Sequence, residues 1–186
     1  MQNKREAWNT EIAGIKTDNL VFLDESGVNT DMTRIYGRAP SNQRVADSAP
    51  LSTPITTTVL ASIRTNGQIT YDTYQGGTTA TRFMEYLEHI LLPSLKTDDV
   101  IVMDNMRSHH AKIVRNLLDT KKIKYLYLPP YSPDLNPIEK MWSKCKSILR
   151  KLKVRLVEQL PDSIRFAIHS IRPQDCYDWF RLYYSR

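Results

Sequence analysis

The chain has 186 residues, 41% apolar and 25% charged, which fits a single soluble folded domain and excludes a disordered chain. Lys and Arg outnumber Asp and Glu by 26 to 20, and the resulting charge of +6 and pI near 9.3 bias it toward polyanionic partners. No apolar run approaches the roughly 20 residues that span a bilayer. The stretch Met1–Glu6 has no hydrophobic segment behind its charges, and Cys145 and Cys176 lack metal-ligand spacing, so a membrane partner, a secretory signal, a zinc site and a disulfide framework are not expected.

Residues 1–19 read as a helical or linking lead-in with Trp8, Ile12 and Ile15 as packing residues. Leu20-Val21-Phe22-Leu23 is a run of four apolar residues ending at Asp24, the pattern of a strand buried on both faces, and Gly27 is expected to break it. From 34 to 75 the pattern is β-like but irregular. Within it, 56–63 and 69–74 form a hairpin about Asn66-Gly67, ended by Gly76-Gly77. Thr78 or Thr79 caps a helix to about Leu92, with Phe83, Leu87, Ile90 and Leu91 on one face and Pro93 as its stop. Val100-Ile101-Val102-Met103 is a second four-residue apolar run, and it too ends in aspartate, Asp104. A helix over 110–121 turns Ile113, Val114, Leu117 and Leu118 inward, and 123–128 is a further strand.

Residues 129–137 hold four of the ten prolines and make a rigid extended turn. Asn136 caps the next helix, with Pro137 at its first position. Ile138, Met141, Trp142, Cys145, Ile148, Leu149 and Leu152 recur at helical spacing along it. The tail from about Pro161 adds one or two helices. An antiparallel start followed by βαβ crossovers predicts an α/β fold with a mixed five-stranded sheet.

Asp24 and Asp104 each follow a buried run, and at the C-terminal edge of an α/β sheet such carboxylates project into the crevice where ligands bind. Glu139 by itself fits the reciprocal capping pattern of a helix start. The proline turn, however, brings that start back toward the sheet. Three convergent carboxylates suit Mg²⁺ or Mn²⁺, hard cations that take oxygen ligands and keep positions open for water and phosphate. Glu25 competes with Asp24, but alternation sends the two to opposite faces, so only one reaches such a site. Asp98 and Asp99 lie at the wrong end of their strand, and Asp134 reads as a turn former. His109 and His110 are read as structural or solvent-facing, as are Ser132 and Asn136 as turn and cap.

Leu23-Asp24-Glu25-Ser26-Gly27, Val102-Met103-Asp104-Asn105 with His109, and the long stretch from Leu128 to Glu139 with Trp142 resemble the DDE transposases of the mariner superfamily, most nearly the bacterial insertion-sequence branch. Tyr36-Gly37-Arg38-Ala39-Pro40 also resembles a segment of that branch. The likeness runs from about 18 to 155. It implies an RNase H-like fold with helices on both faces of the sheet, and it matches Asp24, Asp104 and Glu139 to the catalytic, metal-binding acids. The 34 residues between Asp104 and Glu139 agree with members that end in Glu. Asn105 and His109 fall at accessory positions. The implied reaction is Mg²⁺-dependent hydrolysis at element ends followed by strand transfer into target DNA, with Mn²⁺ able to substitute. A catalytically idle DNA-binding remnant and an RNase H-like nuclease without strand transfer are the alternatives.

Seven basic residues and no acid lie between Lys140 and Arg155. Lys140, Lys144, Lys146, Arg150, Lys151 and Lys153 are expected to grip DNA phosphates next to Glu139. The domain reading is a lead-in over 1–19, a catalytic domain over 20–155 and a helical extension over 156–186. Relatives carry helix-turn-helix modules before the catalytic domain, and 1–19 has no room for one. Such a portion is therefore expected from another reading frame, unless the chain is a remnant. The resemblance further implies a homodimer on double-stranded DNA and a bacterial, cytoplasmic, nucleoid-associated location.

Overall fold

The computed structural model describes residues 2–34, 36–46, 50 and 53–184. Residues 1, 185 and 186, which begin the expected lead-in and end the expected extension, lie outside them, as do 35, 47–49, 51 and 52 within the expected β-like stretch. β1 (Leu20–Asn29) is the central strand, with two strands on either side. On one side β2 (Thr56–Ile63) runs antiparallel to it, and β3 (Ile69–Gln75) returns against β2. On the other side β4 (Val100–Met103) and then β5 (Lys124–Tyr127) run parallel. The order β3-β2-β1-β4-β5 is the mixed five-stranded sheet expected. At the hairpin, Gly67 takes φ +85°, and Arg64 donates its N–H to the Gln68 carbonyl at 3.1 Å. That is the backbone for which an Asn-Gly pair is suited.

Alternation along β1 divides the core. Leu20, Phe22 and Val28 face α1 (Gln2–Ala13), α4 (Ile138–Leu152), α5 (Leu160–His169) and α6 (Pro173–Tyr184). Val21 and Leu23 face α2 (Ala80–Tyr86) and α3 (Lys112–Thr120). Helices thus cover both faces, and each fully buried Leu, Ile or Phe along these seams contributes about 1.5–3 kcal/mol. Trp8 and Ile12 of the lead-in are buried in the first core, and Ile15 packs against it. Phe180 of α6 meets Phe22 edge-on, with ring centroids 5.4 Å apart.

Several local expectations are corrected. Gly27 does not end β1, because β2 supplies ladder partners as far as Asn29 opposite Thr56; Asp24 therefore lies within the strand, opposite Ala61. β4 pairs with β1 only from Leu20 to Leu23. Among the described residues of 31–55 there is no strand. The helix begun at the Thr79 cap, whose side chain accepts from the Arg82 N–H, is α-helical only to Tyr86. It continues as a π turn over Leu87–Leu91 and a 3-10 turn over Leu92–Ser94, where Pro93 removes a donor. Ile113 is 43% exposed rather than inward, and Leu152 is 45% exposed. Asn136 makes no side-chain cap: α4 begins at Ile138, and only the Asn136 carbonyl takes part, accepting from the Glu139 N–H at 3.2 Å.

Among the described residues no helix is long and apolar enough to cross a membrane.

Candidate active site

Asp24, Asp104 and Glu139 line one cleft of about 450 Å³. The sheet register accounts for the first two. Leu23 of β1 pairs with Met103 of β4 in parallel, so the next residue of each chain, Asp24 and Asp104, emerges side by side. Glu139 is the second residue of α4, and the proline segment from Pro129 to Pro133 forms the opposite wall of the cleft. α4 is fixed on the Asp24 face by its buried row Ile138, Met141, Trp142, Cys145 and Leu149. Asp24 is 8% exposed, whereas Glu139 is open to solvent.

The two buried-strand acids are held differently. Asp24 Oδ1 accepts from the Glu25 N–H at 2.8 Å and Oδ2 from the Trp142 indole N–H at 3.3 Å. Burial pushes the Asp24 carboxyl up to about 7, and the nearby charges of Asp104, Glu139 and Glu25 push the same way. Negative charge is thus concentrated around Asp24. Asp104 Oδ1 accepts from the Met106 N–H at 3.0 Å and faces Nδ1 of His109 at 2.8 Å. Burial opposes ionisation of Asp104, but the hydrogen bonds from His109 and Met106 outweigh it and hold the carboxyl below its ordinary value.

His109 is not solvent-facing: it is fully buried, stacked on Phe83 with centroids 4.1 Å apart. Its Nε2 lies 3.1 Å from Glu25 Oε1. Burial alone would lower the imidazole, but the Asp104 and Glu25 carboxylates raise it to about 9. Glu25, Asp104 and His109 bring ligand atoms within 4.8 Å of one another. Nε2 faces the Glu25 carboxylate, and Nδ1 faces Asp104 at 2.8 Å from Oδ1 and 3.3 Å from its carbonyl oxygen, so the trio forms an ion-paired cluster. Glu25 lies, as alternation required, on the face away from Asp24.

Asn105 donates its side-chain N–H to the Leu128 carbonyl and faces His110 Nε2 at 3.2 Å, tying the loop after β4 to the chain after β5. His110 stacks on Tyr127 at 4.0 Å. Ser132 and Asn136 are buried in the cleft wall, and Asn136 Oδ1 is buried without a hydrogen-bond partner. Asp99 stands at the far end of β4, as its position before the strand required, and pairs there with buried Arg64. Asp134 meets Arg5 on the surface.

The basic residues do not act alike. Lys144 binds Asp175 of α6, and Arg155 donates to the carbonyls of Thr30 and Met32 at 3.1 Å, so both hold the fold together. Lys153 closes α4 in the left-handed conformation at φ 51°. Lys140 and Lys151 are exposed. Lys146 and Arg150, one and two turns beyond Trp142, line a groove of about 460 Å³ with Gly27 and Asn29 of β1. Sequence reasoning missed the Glu25–His109 contact and the Lys144–Asp175 pair, because each joins positions far apart in the chain.

The fold is shared with solved structures. A structure described as Mos1 transposase paired-end complex with left transposon end superposes with a TM-score of 0.80 at 19% identity, covering 97% of this chain and 57% of that one. The Mos1 mariner paired end complex with Mn gives 0.77 at 19% identity, over 98% and 57%. The catalytic domain of Mos1 mariner transposase gives 0.72 at 16% identity, over 98% and 85%. The chain thus spans little more than half the length of the first two. No curated protein matches it in sequence. The sequence family described as DDE superfamily endonuclease matches residues 19–161, most of the chain and all three cleft acids, and the chain belongs to that family.

Proposed function

We propose that this chain is the catalytic domain of a DDE transposase, cutting DNA phosphodiester bonds at the ends of a mobile element and joining the freed 3′ ends to target DNA. The observation that carries the reading is the convergence of Asp24, Asp104 and Glu139 on one cleft in which Asp24 is pushed up to about 7. Such a carboxylate cluster, all hard oxygen donors, fits Mg²⁺ or Mn²⁺. Mos1 structures described with Mn and with Mg support the same choice.

Asp24, Asp104 and Glu139 are the residues that would hold the metal. When bound, divalent ions at such a site activate the attacking oxygen and stabilise the leaving one. The chain's own part is to hold the acids. Trp142 and the Glu25 N–H fix Asp24, the Met106 N–H and His109 fix Asp104, and exposed Glu139 closes the cleft from the helix side. Lys146 and Arg150, with exposed Lys140 and Lys151, are the residues proposed to meet DNA phosphates. Lys146 and Arg150 line a groove, whereas Lys144 is engaged by Asp175.

The remaining parts rest on the resemblance. The Glu-ending acid triad and the proline motif favour the bacterial insertion-sequence branch, working on nucleoid DNA in the cytoplasm. Two ends handled together call for a homodimer on double-stranded DNA. A helix-turn-helix portion supplied by another reading frame would read the ends. The catalytic unit is residues 20–155, with 2–19 and 156–184 packed on it.

The test is incubation with element-end DNA and Mg²⁺ or Mn²⁺, with and without a DNA-binding partner portion. Nicking lost in Asp104→Ala, together with joined products, is expected. Binding without nicking, where a full-length relative cuts, would overturn the reading, and nicking without joining would reduce it to a nuclease.

A further inference from the structure

We infer that Glu25 is the positioning residue of the metal cleft: its backbone holds Asp24, and its side chain, through His109, holds Asp104 in place. The inference rests on the reading of the cleft as a metal site. Glu25 lies beside Asp24 in β1 but points to the other face of the sheet. Its N–H donates to Asp24 Oδ1 at 2.8 Å. Its Oε1 takes Nε2 of His109 at 3.1 Å, across 84 residues of chain. The same ring places Nδ1 at 2.8 Å from Asp104 Oδ1. One residue thereby reaches both strand acids, one through the main chain and the other through an imidazole.

The ring is not free to give way. His109 is fully buried, Phe83 stacks on it, and its carbonyl accepts from the Tyr127 hydroxyl at 3.0 Å. Asp104 Oδ1 accepts from the Met106 N–H at 3.0 Å, and His109 Nδ1 lies 2.8 Å from the same oxygen and 3.3 Å from the Asp104 carbonyl oxygen, so the ring engages Asp104 at side chain and main chain together. A ligand carboxylate fixed in this way meets a cation without having to be ordered on binding, and losing such a support weakens metal binding about 10–100-fold in comparable sites.

The test is Mn²⁺ titration of the purified chain, free metal being read by electron paramagnetic resonance in the absence of DNA. Parent, Asp104→Ala, Glu25→Ala, His109→Ala and His109→Asn are compared, with a thermal melt of each. Glu25→Ala keeps the N–H to Asp24 and removes only the anchor of the ring. His109→Asn keeps an N–H near the position of Nδ1. Glu25→Ala and His109→Ala are expected to bind Mn²⁺ about 10–100-fold more weakly, and His109→Asn, which also lacks the link to Glu25, to bind no more tightly than Glu25→Ala. Unchanged affinity in folded Glu25→Ala, or His109→Asn binding as tightly as the parent, would overturn the inference. Should His109→Ala fail to fold, Glu25→Ala and His109→Asn decide it. If the parent binds no Mn²⁺, or Asp104→Ala binds as tightly as the parent, the metal reading itself falls. If only the Glu25 and His109 variants behave as parent, that reading stands and this inference does not.

Discussion

The indole N–H of Trp142 on α4 donates to Oδ2 of Asp24 on β1 at 3.3 Å, and this bond ties the helix that carries Glu139 to the strand that carries the first acid. Both groups are buried, so no water replaces the donor if it is removed. Trp142→Phe keeps the ring in the core and deletes the N–H. It is expected to destabilise the fold by about 1–3 kcal/mol. The loss should be greater at pH 8 than at pH 5, because the acceptor is a carboxylate only above its pKa of about 7. Urea unfolding at the two pH values checks this, and an equal loss at both would remove Asp24 from the explanation.

Asp24 makes a pH prediction of its own. Its carboxyl is raised in the folded state to about 7 from the ordinary 3.8, chiefly by burial. The folded protein therefore holds a proton that the unfolded chain has released. The stability this confers is present below the unfolded value and is lost as pH rises toward 7. Asp24→Asn, which cannot ionise, is expected to be more stable than the parent at pH 8 by about 2–4 kcal/mol and no more stable at pH 4. Unfolding in chelator measures it. Added Mn²⁺ should close the gap from the parent's side only, since the variant lacks the charge that the ion would balance.

Much of this site can be read along the sequence. Two apolar quartets each followed by aspartate identify β1, β4, Asp24 and Asp104, because strands buried on both faces are local patterns. Their neighbourhood then follows from parallel pairing of Leu23 with Met103. Glu139 is less legible, since an acid near a helix start is satisfied by the helix alone. What the pattern conceals is what one element lends another. β1 passes Gly27 because β2 offers partners to Asn29, and His109 is buried because Phe83 and Glu25 meet it from α2 and β1.

The basic helix separates under test. Lys146 and Arg150 line a groove continuous with β1, whereas Lys144 is engaged by Asp175. The double variant Lys146→Ala/Arg150→Ala is expected to lower the slope of log affinity against log salt by about 2 for duplex DNA. Lys144→Ala should leave that slope unchanged and destabilise the fold by about 0.5–1 kcal/mol. Burial works against ionisation of Asp175, yet the hydrogen bonds from Lys144 and the Arg172 N–H hold it down at about 2. The contribution of this pair is therefore present above the ordinary carboxylate value and disappears as pH falls through 2. DNA binding at several salt concentrations, beside unfolding at pH 7 and pH 2, would expose a shared role if the two variants behaved alike.

Gly67 shows how a turn that is legible locally acquires a second constraint from the fold. The Asn66-Gly67 pair identifies the β2–β3 hairpin, and φ of +85° at Gly67 already disfavours a side chain there. A Cβ at Gly67 would also lie 2.6 Å from Cα of Pro173, the first residue of α6. Backbone on both sides leaves neither partner free to swing away. Gly67→Ala is therefore expected to cost about 2–4 kcal/mol, from strain and overpacking together. Gly77, where an added Cβ meets nothing within 4 Å, is the control, and Gly77→Ala should lie within about 0.5 kcal/mol of the parent. Urea unfolding of the two variants decides the matter: equal stabilities would mean that the hairpin does not press on α6 and that the approach of Gly67 to Pro173 carries no energy.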